Sequence, residues 1–154
     1  MLPSVRGLLL DAADQLIVFR RTVPSREVYY SVPGGHVEPG DASLEAALHR
    51  ELREELGATV ADVTPLTTLT YSWRGGRKTQ HVYGCRLLAM DPALRTGPEF
   101  SDPAKGRYEV VRLPLDPAEI LSRHLVPEPV AAYLADTITA LPHLIVSRGG
   151  GRSG

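Results

Sequence analysis

The chain contains one cysteine, Cys85, so it can form no internal disulfide. This fits a reducing compartment and predicts a buried, inert thiol. No apolar run approaches the roughly 18 residues of a membrane span. Near the N-terminus the apolar run is only four residues, without the charged start and cleavage site of a signal peptide. These features predict a cytoplasmic protein with no membrane partner. Charge of one sign is also missing. The formal net charge is −1, so there is no global basic field to attract a nucleic acid polymer. Lysine is scarce, with two residues against 15 arginines. That imbalance is open to two readings: codon usage of the source, or selection of arginine for phosphate recognition. There is one tryptophan, Trp73, and no internal repeat.

At 154 residues the chain is long enough for one domain, expected over residues 1–148. A chain of this size buries about 68–70% of its unfolded surface, enough for a real core. Residues 149–154, GGGRSG, carry nothing to bury and are expected to form a flexible tail.

One stretch organises the rest: residues 34–58, GGHVEPGDASLEAALHRELREELGA. Its first part, Gly34 to Asp41, cannot be helical, because three glycines and Pro39 break it. Its second part predicts a helix from Leu44 to Leu56, with Ser43 as N-cap, Glu45 in the first turn and Gly57 as the stop. At about 100° per residue, Leu44, Leu48, Leu52 and Leu56 form one stripe with Ala47 beside it. Ala46, His49 and Arg53 point to water. Glu51 and Glu55 fall on the edge of the leucine stripe, and Glu54 lies one step further round. Like charges at i,i+4 cost roughly 0.2–0.5 kcal/mol even when exposed. Partial burial raises that cost unless a cation sits between them. Hard divalent cations prefer such clustered carboxylate oxygens, together with waters and substrate phosphates.

These residues resemble the signature of the Nudix hydrolases, Gly-x5-Glu-x7-Arg-Glu-apolar-x-Glu-Glu-x-Gly-apolar. The second half is intact from Arg50 to Ala58, and the first half from Gly35 to Gly40, preceded by Pro33 and Gly34. The junction departs from the pattern. Asp41 stands where the first glutamate is expected, and eight residues rather than seven separate it from Arg50. The extra residue therefore lies at Asp41–Ala42, where a bulge is expected that leaves Glu51, Glu54 and Glu55 in place. The resemblance implies an α/β fold: an α/β/α sandwich with a mixed β-sheet and a loop–helix–loop metal site. It further implies that Glu51, Glu54 and Glu55, with the backbone carbonyl of Gly35, hold Mg²⁺, for which Mn²⁺ can substitute. In the family the arginine matching Arg50 orients the glutamates. Glu38 lies in the same loop as Gly35 and is a candidate to ligate or tighten it.

Elsewhere, Val5 to Leu10 and Gln15 to Arg20 predict a hairpin around Asp11–Asp14. Arg20 is read as a solvated strand end or a contact to substrate phosphate. In the strand Val28 to Val32, Tyr29 and Tyr30 point to opposite faces. One belongs to the core and the other, taken as Tyr30, is a candidate for stacking on a base or sugar. Thr59 to Tyr71 predicts one or two edge-like strand pieces around Pro65. Arg74-Gly75-Gly76-Arg77-Lys78 is a basic hairpin tip, read as a solvated turn or as a reach over polyphosphate. Trp73 stacks on a base, or packs, or makes the contact of a homodimer. His81 is placed at the site rim. Residues 91–107 read as a loop, which holds Glu99. A strand from Tyr108 to Leu113 carries Glu109 at the position of a glutamate in the Nudix tail, followed by a short helix at Pro117–Leu121. Pro129 to Leu141 is the second long helix.

Hydrolysing a phosphoanhydride needs a divalent cation, an activated water and charge neutralisation on the phosphates. The general base is taken from Glu51 or Glu55 first, then from Glu99 or Glu109. The resemblance thus implies an Mg²⁺-dependent hydrolase of a nucleoside diphosphate linked to another moiety, foremost a nucleoside triphosphate cleaved to monophosphate and pyrophosphate. Nucleotide sugars and dinucleoside polyphosphates are alternative substrates, and a non-catalytic nucleotide sensor is the alternative class. A prenyl-diphosphate isomerase of this fold needs an active-site cysteine, and Cys85 stands too isolated for that.

Overall fold

The computed structural model describes residues 3–96 and 102–147. Glu99 and the tail from 149 lie outside the described residues. Eight strands form one mixed sheet. The strands are β1 (Ser4–Leu10), β2 (Leu16–Thr22), β3 (Tyr29–Ser31), β4 (Gly34–His36), β5 (Ala58–Trp73), β6 (Gly76–Met90), β7 (Arg107–Leu113) and β8 (Leu125–Val126). Their order is β5-β6-β1-β2-β3-β8, with β4 also paired to β1 and β7 to β2. The β1–β6 and β3–β8 pairs are parallel and the others antiparallel.

The apolar strands β1 and β2 are buried on both faces, so the sheet separates two cores. On one face α1 (Leu44–Leu56) sets Ala47, Leu48, Leu52 and Leu56 against Val5, Leu9, Ile17 and Phe19. On the other, α2 (Pro117–Leu121) and α3 (Glu128–Thr137) cover Leu8, Leu10, Val18 and Val82 with Ile120, Val130 and Leu134. Each fully buried leucine of α1 contributes roughly 1.5–3 kcal/mol. That stripe fixes the rotation of α1 and hence the direction of its glutamates. The caps are those expected. The Ser43 side chain accepts from the Ala46 N–H. Gly57 takes a left-handed φ of 62°, and the backbone of Asp91 packs so close that a Cβ there would overlap it.

Two expected segments differ. Thr59 to Tyr71 belongs to a single strand, β5, running antiparallel along β6 with register shifts at Thr59/Val60, Ala61/Thr64 and Pro65/Thr67. Its edge position lets exposed Pro65 do without an N–H partner. The second helix stops at Thr137, tightens to a 3₁₀ turn at Ile138–Ala140 and resumes as α4 (Leu141–Leu144). Pro142 has no N–H to continue the ladder to residue 138, which accounts for the break. Among the described residues no helix is long and apolar enough to cross a membrane.

Candidate active site

The loop after β3 forms a strand of its own. β4 pairs with the start of β1, Gly35 opposite Val5 and His36 opposite Ser4. This brings the backbone of Gly35 onto the face of α1 that carries Glu51 and Glu55. A Cβ at residue 35 would lie 2.7 Å from both carboxylate oxygens of Glu51. Glycine lets the carboxylate pack on the bare Cα, and a larger residue would displace it. Glu55 reaches the same strand, its Oε1 accepting from the Gly34 N–H at 2.8 Å.

Arg50 collects the acids. Its Nη1 lies 3.1 Å from Glu51 Oε1, 3.2 Å from Glu54 Oε2 and 3.3 Å from Glu38 Oε2. Its Nε and Nη2 donate to the two oxygens of Asp41 at 2.8 and 2.9 Å, and Nη2 also donates to the His36 carbonyl at 3.0 Å. Asp41 in turn accepts from the Glu38 N–H at 2.8 Å and so closes the loop on itself. The residue that breaks the expected spacing is therefore Arg50's bidentate partner. The Arg50 guanidinium holds the Asp41 carboxyl down at about 2, with help from the Glu38 amide. Arg50 itself is raised, chiefly by Asp41. Glu51, 12% exposed, is raised instead: burial outweighs the attraction of Arg50. Glu54, 33% exposed, is the more open of the two.

The last turn of α1 is anchored from beyond β6. Arg95 Nε donates to the Glu55 carbonyl at 2.8 Å and the Thr96 N–H to the Glu54 carbonyl at 3.1 Å. From the opposite sheet face, the Arg6 guanidinium lies close enough to feel both Glu55 and Glu51, while burial lowers its own pKa. It donates to the Val32 carbonyl at 2.9 Å and to Gln80 Oε1 at 3.1 Å.

The fold thus brings Gly35, Glu38, Arg50, Glu51, Glu54 and Glu55 together. The other residues singled out in the sequence take different partners. Arg20 and Glu109 lie opposite each other in β2 and β7 and pair at 3.1 Å. Tyr30 packs against the α3-side core under Arg123. Trp73 is 52% exposed, with Arg74 over its ring at the hairpin tip. His81 lies 3.3 Å from the Thr68 hydroxyl on β5. Sequence reasoning missed Arg6 and His36, read Asp41 only as the place where the expected spacing breaks, and read Lys78 only as part of the basic hairpin tip. The one available signal was Arg6, a lone charge inside the otherwise buried strand SVRGLLL.

Among the described residues no three acids or imidazoles converge into a ready metal shell. The donors fit a hard divalent cation by their chemistry: three carboxylates within two turns, one resting on a glycine backbone. A groove of about 650 Å³ lined by Glu45, His49 and Val60–Val63 lies along the other side of α1, away from these acids.

Comparison with known proteins agrees with this geometry. A family described as "NUDIX domain" matches residues 1–128. The NAD-capped RNA hydrolase NudC of Mycobacterium tuberculosis is 42% identical over 62 residues, 40% of this chain and 19% of that protein. The chain thus spans about a fifth of the length of this curated relative. Among solved structures, a NUDIX hydrolase from Nitrosomonas europaea superposes with a TM-score of 0.70 at 16% identity, covering 97% of this chain and 99% of the other. The NUDIX domain of Shewanella oneidensis NrtR, complexed with ADP ribose, superposes with a TM-score of 0.66 at 18% identity, covering 91% and 88%. With a mixed sheet between helices, an intact run from Arg50 to Ala58 and a family match over most of its length, the chain belongs to the NUDIX domain family.

Proposed function

We propose that the chain is a pyrophosphohydrolase that uses Mg²⁺ or Mn²⁺ to cleave a phosphoanhydride in a nucleoside diphosphate linked to another moiety. A nucleoside triphosphate, giving monophosphate and pyrophosphate, is the foremost substrate. The observation that carries this reading is the set Glu51, Glu54 and Glu55, held by Arg50 and the Gly34–Gly35 strand. A divalent cation bound there would supply charge neutralisation on the phosphates and acidify a water. Glu51, Glu54 and Glu55, with the Gly35 carbonyl, are the residues that would hold it. Glu51 or Glu55 is the first choice of general base, and burial strengthens the hold of Glu51 on a proton. Water attacks phosphorus, its proton passes to the base, and the P–O bond to the leaving phosphate breaks. Arg50 orients the carboxylates, and Glu38 and Asp41 close the loop around it.

The test is phosphate release from nucleoside triphosphates, nucleotide sugars, dinucleotides including NAD, and dinucleoside polyphosphates, each with Mg²⁺ and Mn²⁺. Turnover of at least one substrate, abolished by chelation, is expected. Nucleotide binding without turnover, in wild type and in Glu54→Gln alike, would make the site a sensor. A second outcome follows from the close approach at residue 35. Gly35→Ala pushes its Cβ into the Glu51 carboxylate, so turnover falls about 10²-fold through misplacement of a reacting group. The displaced atoms end a flexible side chain, so circular dichroism should report an intact fold.

A further inference from the structure

We infer that Lys78 is a polyphosphate-binding residue, acting together with Arg6 on the sheet face across from α1. The inference rests on the pyrophosphohydrolase reading and goes beyond it by assigning a residue that lies outside the family signature.

Lys78 stands near the start of β6, opposite Tyr71. Its Nζ lies 3.2 Å from Nδ1 of His36, the residue after Gly35. The Ser4 hydroxyl lies 3.3 Å from the same nitrogen. The His36 carbonyl is held by Arg50. The Lys78 ammonium therefore meets the side chain of the residue that follows Gly35. It shares the sheet face with Arg6, Gln80 and Tyr71, which form a hydrogen-bonded row: Arg6 Nε donates to Gln80, and Gln80 Nε2 donates to the Tyr71 hydroxyl at 3.1 Å.

This face holds a charge imbalance. Among the described residues, neither Lys78 nor Arg6 forms an ion pair with a carboxylate; their hydrogen-bond partners are neutral groups. Burial and the Arg6 charge both weaken the hold of Lys78 on its proton, and Lys78 and Arg6 do the same to His36. Two partly desolvated cations side by side repel each other, and a multiply charged anion between them would reverse the sign of that interaction. A compact ammonium is suited to a phosphate oxygen as a point charge. The ammonium carries three N–H donors, more than its contact to His36 uses. A phosphate seated between Lys78 and Arg6 would meet the guanidinium on which Glu55 and Glu51 act, so charges on the nucleotide's chain would be shared between these two side chains and the cation held by the glutamates.

The probe is inorganic tripolyphosphate with Mg²⁺, titrated calorimetrically into wild type, Lys78→Gln and Lys78→Arg, with thermal melts confirming that all three are folded. Lys78→Gln should bind about 10- to 100-fold more weakly, the loss of one charge-assisted hydrogen bond, and Lys78→Arg should recover most of the affinity. Equal affinity in wild type and Lys78→Gln overturns the inference, as does a wild type that does not bind tripolyphosphate. A wild type that binds through Lys78 but cleaves nothing in the nucleotide panel supports the subsite and removes the hydrolase reading.

Discussion

Glu54→Gln is expected to lower turnover about 10²–10³-fold while leaving the melting temperature almost unchanged. The magnitude follows from the several kcal/mol of transition-state charge stabilisation that a bound cation supplies. The side chain keeps its shape and loses its charge. Glu54 is a third exposed, and its backbone carbonyl is tied to the Thr96 N–H, which the substitution does not touch. Its ion pair with Arg50 is one of several that Arg50 makes, so stability should move by less than about 0.5 kcal/mol. Phosphate release and a thermal melt separate the two effects. The concentration of Mg²⁺ needed for half-maximal rate should also rise. Full activity in this variant would remove the glutamates from the reaction.

Arg50→Met is expected to lose both activity and stability. Methionine keeps the aliphatic bulk but strips the cation from Glu51, which is 12% exposed, and Asp41, which is 7% exposed. Losing Arg50 leaves the partly buried Glu51 carboxylate without its cation, so the variant should melt below wild type. The pH dependence carries the cause. A carboxyl whose folded pKa is depressed stabilises the fold above its ordinary pKa of 3.8, and the contribution disappears as pH falls through the folded value of about 2. Arg50→Met forfeits this contribution, so the stability gap between wild type and variant should narrow as pH falls from about 5 to about 2. Glu51 acts in the same direction, since protonating it relieves the charge that methionine leaves uncompensated. Mg²⁺ should raise the variant's Tm by mass action if the acids then bind the cation. A gap that stays constant down to the acid limit would mean that the loss comes from packing alone.

Much of the site was legible because its centre is a helix. The 100° turn placed Glu51 at the margin of a leucine stripe, and the structure finds it partly buried there beside fully buried Leu48 and Leu52. Ser43 and Gly57 cap the helix through contacts made mostly by its own neighbours. Legibility falls off with sequence separation. Asp41 read as the site of an inserted residue, and only its contact to Arg50, nine positions away, gave it a role. β4 carries two glycines in three residues and has no strand propensity of its own; it is a strand because β1 offers it a partner. Arg20 read as a solvated strand end or a phosphate contact and Glu109 as a general-base candidate, and only the β2–β7 register shows that they pair with each other across 89 positions.

The sequence by itself determined α1, its caps and the side of the helix on which the acids stand, because a 3.6-residue period and short-range capping are set between residues close in the chain. It also carried the run from Arg50 to Ala58 on which family membership can be read. Only the tertiary structure decided which distant cation feels those acids. Arg6 comes from β1 and its neighbour Lys78 from β6, which pair in parallel across more than seventy residues. That register is set by filling two cores at once, one under α1 and one under α3, and no local pattern in either strand encodes it.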